Sequence, residues 1–177
     1  MNSHIRDYRD DLQKSEAVEP CFGADLKFER ADWSLFRTVE GLQQRAGVAT
    51  HLLRRLVIKE LVDNGLDAGG EVTIETIDGG YAIVDDGPGI DPDDVPRLLN
   101  ISRPMVSSKL LRLPGRGALG NGLRVVAGAV IASQGSLVVA TRNRRLELRP
   151  ERDGTTTVLS TETVDHPVGT RIEIRLG

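Results

Sequence analysis

Residues 59–68 read KELVDNGLDA, and the segment around them decides the fold. Apolar residues recur through this segment at the spacing of an α-helix, which predicts one long helix. Thr50 is placed to cap it, and the helix would run to about Ala68 and end at Gly69-Gly70. Because its apolar side chains cover most of the circumference, we expect the helix to be largely buried.

The same helix carries a polar face. Glu60, Asp63, Asn64 and Asp67 are three or four residues apart, so they share one side of the helix. Such a face is either a solvated stripe or a group of functional side chains. Gly65 favours the functional interpretation, because a glycine inside a helix costs about 1 kcal/mol relative to alanine and often has a packing or ligand reason.

A β-hairpin follows the helix and ends in a glycine-rich turn. Residues 72–76 alternate between apolar and polar, 78–80 form a turn, and 81–84 complete the hairpin. The next residues, 85–90, read DDGPGI. Glycines on either side of a proline let the backbone turn sharply and approach a ligand closely. Asp85 could then accept a hydrogen bond from a ligand amine, although an ordinary turn has the same composition.

A second glycine cluster, GRGALGNG at 115–122, precedes a predicted helix at about 122–133. Consecutive backbone N–H groups at a helix N-terminus would make a phosphate cradle, and a flexible loop is the alternative. The cluster also matches the dinucleotide pattern G-x-G-x-x-G, which requires a preceding strand and a later acidic residue. We reject that match, because residues 100–116 look like a mobile loop and no acidic residue occurs from 121 to 146. The Gly-Lys-Ser/Thr ending of a P-loop is absent.

The remaining patterns complete an α+β prediction. We expect helices at 33–46 and 91–99, the latter capped by Asp91. Strands are predicted at 136–141, 145–149, 155–161 and 169–176. Helices should cover one face of a mixed, mostly antiparallel sheet, giving an α/β sandwich. Residues 1–26 are polar and charged and predict a flexible or dimer-exchanging arm, which leaves 27–177 as the domain.

Composition excludes several classes of protein. A length of 177 residues favours one domain. A net charge of −3 argues against a domain that binds nucleic acid through bulk electrostatics. An aromatic content of 3% argues against one that binds single strands by base stacking. The single cysteine, Cys21, rules out an internal disulfide, and three scattered histidines do not predict a metal cluster. With neither a bilayer-length apolar stretch nor a secretory leader, we expect no membrane association and a cytoplasmic, nucleoid or nuclear location.

Taken in order and spacing, these segments resemble the GHKL ATPases, the superfamily of gyrase, Hsp90, histidine kinases and MutL with the Bergerat ATP-binding fold. Residues 59–68 are similar to its N-box, and 85–90 to its first glycine box. Residues 117–122 are similar to its second glycine box, and Gly169-Thr170 to its final Gly-Thr box. Within the superfamily, KELVDNGLDA most resembles the topoisomerase VI B-like and MORC-like group. Pieces of 107–117, Ser-Ser-Lys and Gly-Arg-Gly, resemble MutL instead.

The resemblance implies roles for the polar residues. Glu60 would be the general base that activates water, and Asp63 would support it. Asn64 would coordinate Mg²⁺. Asp85 would bind the adenine amine, with Thr170 helping through water.

It also implies roles for the glycine boxes. Gly87 and Gly89, together with Ile90, would let the chain pass close to the nucleotide. The amides of the second box would bind phosphates, and the residues concerned are Gly117, Gly120 and Gly122. Lys109 would reach the γ-phosphate, or it is plain surface charge.

The function implied is Mg²⁺-dependent ATP binding and slow hydrolysis. A nucleotide-dependent homodimer would act as a clamp in DNA topology, repair or chromatin processes and would contact DNA only indirectly. Gyrase-like relatives take a γ-phosphate lysine from a following transducer domain, so we expect that lysine from a partner or from residues beyond Gly177 and weak hydrolysis without it. The alternatives are a histidine-kinase-like catalytic domain, against which Glu60 counts, and a nucleotide-binding switch without turnover.

Overall fold

Six strands form one sheet in the computed structural model, which describes residues 32–103 and 122–177. The strands are β1 Val72–Ile77, β2 Gly80–Asp85, β3 Ser136–Thr141, β4 Arg144–Pro150, β5 Thr156–Thr163 and β6 Thr170–Arg175. Their spatial order is β1-β2-β6-β3-β4-β5. Each pair of neighbours is antiparallel, so the described strands lack the parallel component of the predicted mixed sheet.

Four α-helices and two short 3-10 helices accompany this sheet. The α-helices are α1 Val39–Ala46, α2 Leu53–Asp67, α3 Val95–Leu98 and α4 Gly122–Ser133, and the 3-10 helices are Asp32–Arg37 and Thr50–Leu52. Helices α2 and α4 pack against each other and bury their apolar sides in one core with Ile83, Leu137 and Ile174 of the sheet. The predicted α+β sandwich is therefore confirmed.

Helix α4 lies at the centre of that core. Its residues 125–131 are all buried, as expected for a helix that is apolar around its whole circumference. Gly128 lets the helix approach the 3-10 helix closely, because a Cβ atom there would lie 2.2 Å from the carbonyl oxygen of Phe36. No helix within the described residues is both long and apolar enough to cross a bilayer.

The predicted helix at 33–46 is wrong as a single element. It consists of the 3-10 helix Asp32–Arg37 followed by α1. Thr38 separates the two, because its hydroxyl oxygen accepts a hydrogen bond from the backbone N–H of Gly41 at 3.1 Å. That side chain caps a new helix, which stops the first one from continuing.

The predicted start and burial of the long helix are also wrong. Thr50 does not cap it: a 3-10 turn, Thr50–Leu52, comes first, and the Thr50 hydroxyl accepts from Gln43 Nε2 at 2.6 Å. Helix α2 begins at Leu53 and buries one stripe, namely Leu53, Val57, Leu61 and Gly65. Leu66 is 47% exposed, because only one side of the helix meets the sheet and α4.

The predicted helix at 91–99 shortens to α3. Asp91 caps a turn instead, since its side chain accepts from the N–H of Asp93 at 3.0 Å. Strands β4, β5 and β6 differ from their predicted limits by one or two residues, and β5 extends to Thr163 beyond a register shift. The predicted arm at 1–26 and most of the predicted loop at 100–116 lie outside the described residues.

The face of the sheet opposite the helices carries a charged network. Arg171 contacts Glu75 at 2.6 Å and Glu173 at 3.0 Å. The hydrogen bond to Glu75 is the main reason that the pKa of Arg171 lies above its usual value. This face is distinct from the one that carries the predicted site residues.

Candidate functional site

The polar face of α2 meets the N-terminus of α4. A Cβ atom at Gly122 would lie 2.7 Å from Glu60 Oε2 and 3.6 Å from Asn64 Nδ2. Glu60 and Asn64 are half-buried, so both side chains lie in the crevice between the two helices. The Glu60 carboxylate occupies the space that a side chain at 122 would need, so glycine there lets the first turn of α4 lie directly beside Glu60 and near Asn64. The positive end of the α4 dipole therefore points at the same place as these two groups.

Asn64 is incompletely satisfied. Its Nδ2 atom is buried and has no hydrogen-bond partner among the residues that the structure describes. A buried donor left unpaired costs about 1–3 kcal/mol, so a bound group would relieve a real penalty. Because the two ends of an amide are assigned by their surroundings, Asn64 can turn either its nitrogen or its oxygen toward a ligand.

The oxygen atoms here suit a hard cation. The amide oxygen of Asn64 is the kind of ligand that Mg²⁺ takes, and the Glu60 carboxylate lies beside it as the predicted base. Within residues 32–103 and 122–177, no cluster of three or more His, Cys, Asp or Glu side chains could hold a metal alone. In nucleotide sites Mg²⁺ takes most of its ligands from water and substrate phosphates and only one or two from the protein. The residues present therefore fit the predicted cofactor.

Asp63 lies one turn from Glu60 but has a different described partner. Its Oδ2 atom accepts a hydrogen bond from Lys59 Nζ at 2.6 Å. This hydrogen bond, with the charges of Asp63 and Glu60, raises the pKa of Lys59 above its usual value. The predicted support of Glu60 by Asp63 stays a prediction, and the described contact instead neutralises a lysine that stands beside both acids.

Asp85 occupies the end of β2, where four strands place one residue each in a row. Asp85 is paired with Val72 of β1 and with Thr170 of β6, and Thr170 is paired with Thr141 of β3. The row faces the helices, because a Cβ atom at Gly65 of α2 would lie 3.2 Å from the Cβ of Asp85. The glycine noted in the sequence thus has a packing reason: it makes room for Val72, whose Cγ2 would lie 2.7 Å from a Cβ at 65, and for Asp85.

The two oxygen atoms of Asp85 have different surroundings. Oδ1 accepts hydrogen bonds from the N–H of Gly87 at 3.0 Å and of Thr170 at 3.2 Å. Oδ2 accepts none from the described residues and lies on the side of Gly65. One oxygen therefore anchors the carboxylate to the protein, and the other remains able to accept a hydrogen bond from a ligand.

Glycines allow the turn after Asp85 to pack this tightly. A Cβ atom at Gly87 would lie 3.0 Å from Asp85 Oδ1, and one at Gly89 would lie 2.9 Å from the carbonyl oxygen of Gly169. Gly169 itself has φ +74°, and a Cβ there would lie 1.8 Å from the carbonyl oxygen of Asp85. A side chain at any of these three positions would crowd its neighbours, so the glycines allow the turn and the segment before β6 to pack closely around Asp85.

An apolar pocket adjoins this row. It is lined by residues of α2, α4, the strands and the turn, including Leu61, Ile90, Leu99, Leu123, Val139 and Ile172. Ile172 lies two residues beyond Thr170 on the same face of β6, and Ile90 ends the glycine turn. The pocket is therefore a neighbour of the row, although Asp85 is not among the residues that line it.

The structure brings most predicted site residues into two groups joined by α2. Glu60, Asn64 and Gly122 form one group. The other contains Asp85, Gly87, Gly89, Ile90 and Thr170. Lys109, Gly117 and Gly120 lie outside the described residues. Sequence reasoning missed Thr141, which no local sequence pattern distinguishes. Gly65 and Gly169 do stand out in the sequence, but neither is assigned a binding role there.

A family model matches most of the chain. Residues 49–177 match the family described as histidine kinase-, DNA gyrase B-, and HSP90-like ATPase. Curated relatives include the DNA mismatch repair protein MutL of Anaeromyxobacter dehalogenans (strain 2CP-C), 36% identical over 132 residues. Another is MutL of Pseudomonas putida (strain W619), 34% identical over 126 residues. Each alignment covers 67% of this chain, and the chain spans about a fifth of these relatives, 20% and 19%.

Solved structures of DNA repair proteins also match this chain. The crystal structure of the N-terminal domain of a DNA repair protein matches 80% of this chain and 38% of its own, with TM-score 0.49 and 20% identity. The Aquifex aeolicus MutL ATPase domain complexed with ADP matches 67% of this chain and 40% of its own, with TM-score 0.42 and 26% identity. The curated relatives are MutL proteins, so the narrower resemblance to the topoisomerase VI B-like and MORC-like group is not confirmed.

Proposed function

This chain belongs to the family of histidine kinase-, DNA gyrase B- and HSP90-like ATPases, and we propose that it binds ATP with Mg²⁺ and hydrolyses it between α2, α4 and the Asp85 row. One observation carries the proposal. A single helix, α2, has Glu60 and Asn64 against the start of α4 and Gly65 against Asp85. The two ends of the crevice are therefore held at a fixed separation.

The purine binds at the Asp85 end in this proposal. Oδ2 of Asp85 accepts a hydrogen bond from the adenine amine, while Oδ1 stays bonded to the backbone. The ring lies at the edge of the apolar pocket, near Ile90 and Ile172, because the pocket itself, at about 20 Å³, is too small to hold a purine. Thr170 supports the purine through water.

The phosphates bind at the N-terminus of α4. Gly122 lets the first turn of α4 lie close to Glu60 and Asn64, and the helix dipole favours negative charge. Gly117, Gly120 and Lys109 precede this helix in the sequence, and we assign them to the phosphates by their resemblance to the second glycine box and its preceding loop.

Glu60 and Asn64 act on the reacting end of the nucleotide. Glu60 accepts a proton from the attacking water and orients it, which is the general-base role. Asn64 would hold the Mg²⁺, which would supply charge neutralisation for the phosphates when bound. Asp63 holds Lys59, so that this ammonium group does not compete for the Glu60 carboxylate.

A larger role is also proposed. Because the curated relatives are named DNA mismatch repair proteins, we place this chain in a DNA maintenance process. The nucleotide-dependent homodimer is proposed from the resemblance to the GHKL superfamily alone. Residues 1–26 are the candidate dimer-exchanging arm. A γ-phosphate lysine supplied by a partner or a transducer domain would raise the slow turnover that we expect from these residues alone.

The test compares Glu60→Gln with Glu71→Gln, an exposed control on the same chain. Glu60→Gln keeps the side-chain shape and removes the base, so we expect phosphate release to fall by about 100-fold or more while ATP affinity is retained. Glu71→Gln should change neither. Unchanged turnover in Glu60→Gln would contradict the base assignment. ATP binding without turnover in the unsubstituted chain would favour the switch, and phosphate on a histidine would favour the kinase.

A further inference from the structure

Thr141 is a fully buried polar residue at the end of β3. It and Thr170 are the buried polar side chains of the described core, and Thr141 has no exposed surface. Its hydroxyl oxygen accepts a hydrogen bond from the N–H of Ile90 at 2.9 Å. The hydroxyl proton faces two carbonyl oxygens, that of Ile90 at 3.0 Å and that of Gly169 at 3.2 Å.

These contacts join two segments that are far apart in the sequence. Ile90 ends the glycine turn after Asp85, whereas Gly169 comes directly before β6. The turn also packs onto the hydroxyl itself, because a Cβ at Gly89 would lie 2.9 Å from Thr141 Oγ1. One hydroxyl group therefore sets the spacing between the turn and the start of β6.

Both of these segments donate to the same carboxylate oxygen. The N–H of Gly87 comes from the turn, the N–H of Thr170 comes from β6, and each reaches Asp85 Oδ1. If the two segments separate, the two donors cannot both reach Oδ1, and the carboxylate loses its fixed orientation. Thr141 itself has no described contact with Asp85, from which it is separated by β6.

We infer that Thr141 is a positioning residue that gives the site its preference for a purine with a 6-amine, by fixing the orientation of Asp85 through the turn and Gly169. This inference rests on the proposed function, because it requires Asp85 to bind the purine. It assigns Thr141 no contact with the nucleotide.

The test uses Thr141→Val, which keeps the shape and removes the hydroxyl, and Thr141→Ser, which keeps the hydroxyl. ADP and IDP are titrated into each full chain with Mg²⁺, because IDP differs in presenting a carbonyl where ADP has the amine. We expect the unsubstituted chain to prefer ADP by about tenfold or more, and Thr141→Val to lose most of that preference. Thr141→Ser should restore it, and Thr157→Val, at an exposed threonine of β5, should leave it unchanged.

The outcomes separate the possible explanations. If Thr141 only stabilised the fold, Thr141→Val would weaken ADP and IDP by the same factor, and an unchanged preference would overturn the inference. Failure of Thr141→Ser to restore the preference would also overturn it. If the unsubstituted chain binds neither nucleotide, or both equally, the proposed purine site is wrong, and the inference falls with it. Should Thr141→Val not fold, Thr141→Cys, with its weaker S–H group, is expected to show an intermediate preference, and an undiminished one would overturn the inference.

Discussion

At the scale of single residues, Asp85 separates two tasks between its oxygen atoms. Oδ1 accepts hydrogen bonds from two backbone N–H groups, and Oδ2 lies next to Gly65 of α2. A carboxylate held in this way presents a fixed acceptor with little loss of side-chain freedom on binding. In the proposed site, base recognition depends on an acceptor at Oδ2, whereas the local fold depends on one at Oδ1.

This division makes Asp85→Asn a selective substitution. Asparagine can keep an oxygen at Oδ1 for Gly87 and Thr170, but it places an NH₂ group at Oδ2, which cannot accept from an amine. We expect ATP affinity to fall by about tenfold to 100-fold with the thermal midpoint nearly unchanged. Asp86→Asn is the matched control, since its exposed side chain needs only an acceptor for the N–H of Glu71. Equal affinity in Asp85→Asn and the unsubstituted chain, measured by calorimetry, would contradict the purine assignment.

Sequence reasoning reached those residues that carry a local pattern. Glu60 and Asn64 could be placed on one helix face by their spacing, and Asp85 could be placed at a strand end before a glycine turn. Thr141 could not be found, because a lone threonine at the end of a strand has no distinguishing neighbours. Its importance arises from contacts to Ile90 and Gly169, which are distant in sequence.

At the scale of elements, close helix packing decides several glycine positions. Gly128 sits in the middle of α4, where alanine would ordinarily improve helix stability by about 1 kcal/mol. Its Cβ, however, would lie 2.2 Å from the backbone carbonyl of Phe36, which cannot move independently of its 3-10 helix. The steric penalty should exceed the gain in helix propensity.

We therefore expect Gly128→Ala to lower the free energy of unfolding by about 1–2 kcal/mol. Gly47→Ala is the comparison, because nothing lies within 4 Å of its Cβ position and only its φ of +67° opposes a side chain. That substitution should cost about 1 kcal/mol through backbone strain alone. Chemical denaturation measures both, and a Gly128→Ala protein more stable than the unsubstituted chain would contradict the packing described.

Element boundaries were less predictable than element types. The strands and the two long helices follow from their apolar periodicity, but the division at Thr38 depends on a capping hydrogen bond to Gly41. The 3-10 turn at Thr50–Leu52 and the short α3 likewise depend on local side-chain contacts. Periodicity does not distinguish between a helix that continues and one that stops and restarts.

At the scale of the whole molecule, α2 links the two ends of the proposed site. Its residues contact the start of α4, through Glu60 and Asn64, and the end of the sheet, through Gly65. Because α2 also packs into the core through Leu61, the geometry of the site is tied to the stability of the fold. The family, the antiparallel sheet and its helical layer could be predicted from the sequence, since the glycine boxes and the N-box lie in the expected order.

The most direct test of the central claim is a crystal structure of the chain with Mg²⁺ and a non-hydrolysable ATP analogue. We predict an adenine amine within about 3 Å of Asp85 Oδ2, triphosphate oxygens at the N-terminus of α4 beside Gly122, and Asn64 on the Mg²⁺. A nucleotide bound elsewhere, or a crevice between α2 and α4 that stays empty at saturating nucleotide, would contradict the account.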